Sequence, residues 1–317
     1  MWLAAPRSNP PPVSPWIHQP RCIQGSDCGI IRCVLLLGKI KFTQQAGIVT
    51  INQPLISIIT VTYNAQTHIR EAIESVLSQT YPNVEYIIID GVSTDGTLDI
   101  IRGYEDAIDH WISEPDEGIY NAMNKGISLA SGDIIGLVNA DDVIYPDTLE
   151  RVAAALSENP TAGFTMAPVE LAHEDGKVFG VASPLTDDEL DTRMWKEMPC
   201  PHQGMYVKTE IYESLGLFDE RYLLRADYDF LLRLLKADIP FVRLDQPVGF
   251  FRSGGQSGGL STWLETRRLL ASHGRPRLAS DLSFLSSVLK MTLSEVLPNP
   301  LFKQLKRLNC RSKRKLY

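Results

Sequence analysis

The chain has 317 residues, 44% of them hydrophobic and 22% charged, with a net charge of −7. Those are ordinary globular values that allow one large domain or two small ones, and the acidic excess argues against nucleic acid as the main ligand. The charge is uneven: residues 297–317 carry Lys303, Lys306, Arg307, Arg311, Lys313, Arg314 and Lys315 without one Asp or Glu, which suits an anionic membrane surface.

Residues 1–53 are Pro-rich and aperiodic at their start ("APRSNPPPVSPWIHQPR") and read as a disordered extension. Their longest apolar run, "GIIRCVLLLG", is broken by Arg32 and falls well short of the ~20 residues a spanning helix needs. It also lies too far from Met1 for a secretory leader, so a soluble or peripheral protein is expected. The five cysteines (Cys22, Cys28, Cys33, Cys200, Cys310) form no metal-type Cys-x-x-Cys pair, and their odd number fits a reduced cytoplasmic setting.

From Leu55 the pattern is regular. "LISIITV" reads as a buried strand, and Ile69, Ala72, Ile73, Val76 and Leu77 then recur at helical spacing. A strand "EYIIID", a Gly-rich turn "GVSTDGT" and a helix "LDIIRGY" follow. Next come a short strand at "DHWIS", a helix from Ile119 to Ala130 and the strand "DIIGLV". Strands alternating with helices imply right-handed βαβ units, hence a mostly parallel sheet flanked by helices. Beyond Pro160 shorter strands and a hairpin, "FTMAPVEL" with "KVFGVAS", suggest a mixed sheet completing the same domain, which would run from 54 to 260. A helix from Ala226 to Ala237 follows. Residues 261–317 read as C-terminal helices, the last of them strongly basic, that either pack on the domain or touch a membrane.

Ligands of open parallel sheets bind beyond the carboxyl ends of the strands. Three strands here end in polar groups: Thr62-Tyr63-Asn64, Asp90, and Asn139-Ala140-Asp141-Asp142. One such end is easily a capped turn, but three adjacent ones describe a site. Tyr63 offers a flat face to a base, Asp90 an acceptor for a ring N–H, and Asp141 with Asp142 hard oxygens for Mg²⁺ or Mn²⁺. A shared cation would relieve the repulsion between those two carboxylates. Together these features describe a nucleotide diphosphate held by a divalent cation. The chain has no GxxxxGK[ST] and no GxGxxG after its first strand, and neither "IIIDGVSTDGT" nor "GLVNADD" supplies the Asp-x-Asp of an aspartate-nucleophile phosphatase.

"PLISIITVTYN", "YIIIDGVSTDGT", "SEPDEGIYNAMNKGISLASGDIIGLVNADD" and "FDERYLLRADYDFLLRLL", in this order, resemble family 2 glycosyltransferases of the GT-A fold, most closely the bacterial polysaccharide-assembly type. The resemblance spans roughly Pro54 to Gly258. It implies an inverting, metal-dependent hexosyltransferase that uses a nucleotide-diphosphate sugar. It sets Tyr63 against the base, Asp90 on the base edge, and Asp141 and Asp142 on ribose and metal. The family's Asp-x-Asp often begins with Asp where this chain has Asn139, and Asp141 is preferred as the direct metal ligand. The resemblance also makes Asp227, in "LRADYDFLLR", the base for the acceptor hydroxyl. From the residues alone, Asp227 and Asp229 are first-turn helix carboxylates, and Asp229 is expected to pair with Arg233.

Other residues carry two readings each. Asp95 is expected to be a cap. In "SEPDEGIYNAMNKG", Asp116 and Glu117 precede Gly118, and Asn121, Asn124 and Lys125 follow on a helix that is either a solvated face or, through Lys125, a phosphate contact. His202 and Gln203 are structural or belong to an acceptor or metal region. The loop "FFRSGGQSGG" either closes over the diphosphate through Arg252 or Ser257 or is a linker. The expected partners are a nucleotide-diphosphate sugar and a saccharide or lipid-linked saccharide, with the protein cytoplasmic and possible contact with the inner membrane face through the tail. Two rivals stand beside this: a sugar nucleotidyltransferase, which wants a Gly-rich basic loop where "TYNAQTH" lies, and a non-catalytic sugar-nucleotide-binding protein, which has no need of Asp227.

Overall fold

A computed structural model describes residues 53–253 and 260–276. β1 (Ile56–Thr62) is buried at all its positions, as a β-branched strand covered on both faces should be. It lies between β2 (Val84–Asp90) and β4 (Ile134–Leu137), parallel to both, and β3 (His110–Ser113) extends the sheet past β2. The crossovers are α1 (Ile69–Leu77), α2 (Thr97–Arg102) and α3 (Ile119–Leu129).

The side-chain alternation of the strands feeds two cores. Ile56, Ile58 and Ile88 pack with Ile69, Ile73 and Val76 of α1. Ile59, Ile87 and Ile89 pack with Tyr120, Met123 and Ile127 of α3. Each buried apolar side chain contributes about 1.5–3 kcal/mol relative to exposure. Helix α3 approaches so closely that a Cβ on Gly126 would stand 2.4 Å from Ile59 Cγ2.

The second half of the chain contributes β5 (Val143–Ile144), α4 (Thr148–Glu158), β6 (Phe164–Met166), β7 (Val169–Ala172), β8 (Val178–Ala182) and α5 (Asp187–Arg193). It continues with β9 (Tyr206–Lys208), α6 (Thr209–Leu215), α7 (Ala226–Lys236), β10 (Phe241–Arg243), β11 (Gly249–Arg252) and α8 (Leu260–Ser272). The main sheet runs β10-β6-β9-β4-β1-β2-β3, with β9 antiparallel to both neighbours.

One expectation changes here. The short strands do not complete a single sheet, because β5, β11, β7 and β8 form a second one. "FTMAPVEL" divides at Ala167-Pro168: Pro168 has no N–H for a ladder, so β6 stays in the main sheet while β7 pairs with β8 in the other. The expected disorder of residues 1–53 and the helices beyond 276 lie outside the described residues, apart from Gln53. No helix among the described residues is long and apolar enough to cross a membrane.

Candidate active site

Parallel pairing brings three strand ends to one edge. Thr62 lies opposite Asp90, and Val138 and Ala140 donate their amides to Ile59 and Val61, so the Asn-Ala-Asp-Asp turn emerges beside Tyr63. The backbone is strained where the first two strands leave the sheet. Asn64 has φ 50° and Val92, a β-branched residue, φ 63°. The two loops are laced together: Asn64 N donates to Ser93 Oγ (2.8 Å), and Thr94 N donates to Asn64 Oδ1 (2.8 Å). Thr62 Oγ1 is buried without a partner among the described residues, and the Tyr63 ring is 64% exposed, an open aromatic face on this edge.

Asp90 is fully buried, and its carboxylate accepts from Ser93 N (3.0 Å), Ser93 Oγ and Ser113 Oγ (2.6 Å). Asp95, expected to cap, accepts from the amides of Gln66 (3.1 Å) and Thr97 (2.9 Å).

Around the Asn-Ala-Asp-Asp turn five elements converge. Gln203, in a single 3₁₀ turn (His202–Gly204) before β9, donates Nε2 to Asp142 Oδ2 (3.0 Å). His202 Nε2 lies 3.3 Å from Asn139 Nδ2, while its Nδ1 lies 3.4 Å from Asp227 Oδ2. Asp227 sits in the first turn of α7, where it also accepts from Tyr120 Oη (2.9 Å). Asp227 and the acidic turn, 85 or more residues apart in the chain, thus belong to one network running through His202. Arg252, at the end of β11, donates Nη1 to the main-chain carbonyl of Asp141 (2.6 Å), pairs with Glu71 of α1 and is itself buried.

Electrostatics separate the carboxyls. Burial pushes Asp142 up, and the Asp141 charge adds to this; His202 and Gln203 oppose it only in part. Burial also raises Asp227, but the His202 imidazole, the Arg225 charge and the Tyr120 hydroxyl outweigh it and hold that carboxyl below the usual range. In return the carboxylates, Asp227 foremost, lift the His202 imidazole against its own burial.

Several expectations are relocated. Lys125 Nζ pairs with Glu114 (2.8 Å) and donates to Pro115 O (2.7 Å), so it braces the loop before α3. Asn121 and Asn124 hold Glu220. The Arg252 guanidinium, a candidate phosphate contact, is instead turned to Asp141 O and Glu71, since a buried guanidinium must be paired. Asp229 pairs with Arg233 as expected (2.9 Å) and also with His273 (2.8 Å). Ser257 lies outside the described residues. Sequence reasoning gave no role to Tyr120 or Glu71. Tyr120 had a signal, its place in the first turn of a helix that follows a strand end; Glu71 had none, being indistinguishable from a solvated helix residue.

The family model described as "Glycosyl transferase family 2" matches residues 57–216, about half the chain. The chain belongs to this family. A PGL/p-HBAD biosynthesis glycosyltransferase of Mycobacterium tuberculosis (strain H37Ra) is 30% identical over 223 residues, covering 68% of this chain and 83% of the relative. An uncharacterized glycosyltransferase of Methanocaldococcus jannaschii is 28% identical over 217 residues, 66% and 74% of the two chains. Among solved structures, S. aureus TarS 1–349 in complex with UDP-GlcNAc aligns with TM-score 0.57 at 20% identity over 76% of this chain and 73% of that one. The mannosyltransferase PcManGT of Pyrobaculum calidifontis, in complex with GDP-Man and Mn²⁺, aligns with TM-score 0.52 at 17% identity over 84% and 81%. These alignments show the GT-A fold. Membership of a glycosyltransferase family sets aside both the nucleotidyltransferase and the non-catalytic binder.

The Arg252 anchor has a measurable cost of removal. Arg252→Ala should destabilise this family 2 glycosyltransferase by about 1–3 kcal/mol in urea unfolding, because Glu71 is half-exposed and tolerates the loss while the Asp141 carbonyl loses its donor. Arg252→Lys keeps the charge without the fork and should fall between the two.

Proposed function

We propose that the protein is an inverting, hexosyltransferase-type enzyme that moves a sugar from a nucleotide-diphosphate donor to a hydroxyl of a saccharide or lipid-linked saccharide in cell-surface polysaccharide or glycolipid synthesis. The observation that carries this reading is the His202 bridge, which joins an ionised Asp227 to the turn that bears Asp141 and Asp142. The names of the M. tuberculosis relative and of the TarS and PcManGT complexes support the donor and acceptor classes.

Tyr63 stacks the base, and Thr62 and Asp141 take the ribose and diphosphate side. Asp227, held low, is ionised near neutral pH and removes the acceptor hydroxyl proton as the new bond forms opposite the departing diphosphate. Tyr120, whose hydroxyl donates to Asp227, and His202 orient that carboxylate. Glycosidic inversion needs no covalent intermediate on the protein, which fits a single base.

The residues present fit a divalent cation. Asp142 is pushed toward the neutral form by burial and by its neighbour, a tension a cation offsets, and Asn139 Oδ1 is buried without a partner. Among the described residues no group of three or more His, Cys, Asp or Glu could hold an ion alone, so Asp141 and Asp142 would share it with substrate oxygens, as Mg²⁺ and Mn²⁺ commonly allow. Once bound, the ion offsets charge on the leaving diphosphate.

Differential scanning fluorimetry with UDP, GDP, dTDP and CDP tests the donor reading. One or more should raise the midpoint with Mn²⁺ or Mg²⁺, the shift should vanish in EDTA, and Asp141→Asn should lose it. A shift indifferent to EDTA would reduce Asp141 and Asp142 to turn residues.

The pH profile of transfer tests the base. Asp227 has a lowered pKa, so the ionised form is present above that value and activity is lost as pH falls through it. His202→Gln removes the main group holding it down, and the acidic limb should move to higher pH. An unmoved limb would take Asp227 out of the role of base.

The basic segment 297–317 lies outside the described residues; we place the enzyme in the cytoplasm with this segment at the inner membrane face, on charge alone. Deleting it should abolish sedimentation with vesicles containing phosphatidylserine, and unchanged sedimentation would overturn the placement.

A further inference from the structure

We infer that Asp116, rather than Asp90, reads the edge of the nucleobase, and that it selects bases carrying a ring N–H, namely uracil, thymine and guanine, against cytosine. This rests on the donor reading above and extends it to the base.

Tyr63 is 64% exposed, more than any other large aromatic residue among the described residues. Gly91, which follows Asp90, lies against it: a Cβ there would stand 3.5 Å from Tyr63 Cδ2. The same position would be 2.4 Å from Asp116 Oδ2, closer than side chains tolerate. Tyr63 and the Asp116 carboxylate therefore flank one glycine, and the absent side chain of Gly91 is what lets the carboxylate lie beside the ring.

The two candidate carboxylates differ in what they have left to offer. Asp90 is fully buried and takes three hydrogen bonds from Ser93 and Ser113, so it orders the loop after β2 and shows no surface to a ligand. Asp116 is only half-buried. Its Oδ1 accepts from Gly118 N (2.9 Å), which fixes the carboxylate at the start of α3. Its Oδ2 has no donor among the described residues and is the oxygen turned to Gly91.

An ionised carboxylate only accepts hydrogen bonds. Beside a stacked base it pairs with the N3–H of uracil or thymine or the N1–H of guanine. Cytosine presents a lone pair at N3, which a carboxylate repels. A hydrogen bond to a charged acceptor is worth enough to discriminate by about tenfold or more. Discrimination of this kind needs the repulsive partner as much as the attractive one.

Isothermal titration with Mn²⁺ present tests this, using UDP, dTDP, GDP and CDP with pyrophosphate as a ligand lacking a base. The full chain should bind CDP about tenfold or more weaker than the best of the other three. Asp116→Ala should collapse that preference and leave pyrophosphate affinity unchanged. Asp116→Asn, which keeps the shape and gains an N–H, should move the preference toward CDP. Asp90→Asn should lower the unfolding midpoint without changing the order of the bases. A preference that survives Asp116→Ala, or a loss that pyrophosphate shares equally, overturns the assignment. A wild-type chain that binds pyrophosphate but ranks all four bases equally also overturns it while leaving the metal-diphosphate site standing. Binding of no nucleotide at all removes the donor reading and the assignment together.

Discussion

A strand buried on both faces can offer polar side chains to a ligand only where it leaves the sheet; inside the sheet, Ser57 and Thr60 of β1 are taken up by Glu85 and Tyr86. β1 has no exposed position from Ile56 to Thr62 and is paired on both sides by parallel strands, so its direction fixes where chemistry can occur. The βαβ connections make β2 and β4 run the same way, and their polar ends therefore meet its end on one edge. The cost of this arrangement is a concentration of acidic groups at a water-poor boundary. Much of the second half of the chain answers that cost: the 3₁₀ turn before β9 brings His202 and Gln203, and β11 brings Arg252 across from the second sheet, while α7 adds one more carboxylate, Asp227, on the far side of His202.

Asp142 and Asp227 show how that boundary divides two like groups. Both are buried, and burial alone raises both. Asp227 faces the His202 imidazole at 3.4 Å, and this partner, with Arg225 and the Tyr120 hydroxyl, outweighs burial. Asp142 has only the more distant influence of His202 and the neutral amide of Gln203 at 3.0 Å to set against burial and the charge of Asp141 beside it. The first carboxyl is driven down and the second up. One is thereby suited to hold a negative charge in readiness for a proton, and the other to receive positive charge.

The periodicity of the chain made β1, α1, β2 and α3 legible, since each runs for seven residues or more and is mostly apolar on its buried positions; β4, four residues long, was legible as the apolar run before the acidic turn. The acidic turn was legible because Asp141-Asp142 closes an apolar run. The hairpin of β7 and β8 was legible too, but not its place in a second sheet, because these strands are two to five residues long and β11 reaches β5 and β7 from far along the chain; only Pro168 marked the break. Arg252 illustrates the limit most clearly. In the sequence it borders a glycine-rich loop and invites a phosphate, but its true partners, Glu71 and the Asp141 carbonyl, lie 181 and 111 residues away. Asp90 shows a related limit: in the sequence it is a bare strand-end carboxylate, and only the fold brings Ser93 and Ser113 around it.

The family-matched segment ends at residue 216, and the site does not. The strand-end edge, from Thr62 through Asp142 to His202 and Gln203, falls within that segment, while Asp227 and Arg252 come after it. The helix that carries Asp227 and the segment leading into it are tied to still later residues. Glu265 of α8 accepts from the amides of Leu223 (2.7 Å) and Leu224 (2.6 Å), Tyr222 and Ser272 share a hydrogen bond (2.9 Å), and His273 reaches Asp229 (2.8 Å). The segment leading into α7 is thus tied at three points to a helix that stands outside the matched region, and Leu223, 61% exposed, lies on it. Under the proposed function the acceptor meets the protein around Asp227, on elements that the matched segment does not contain, so acceptor choice is to be sought on that side of the site.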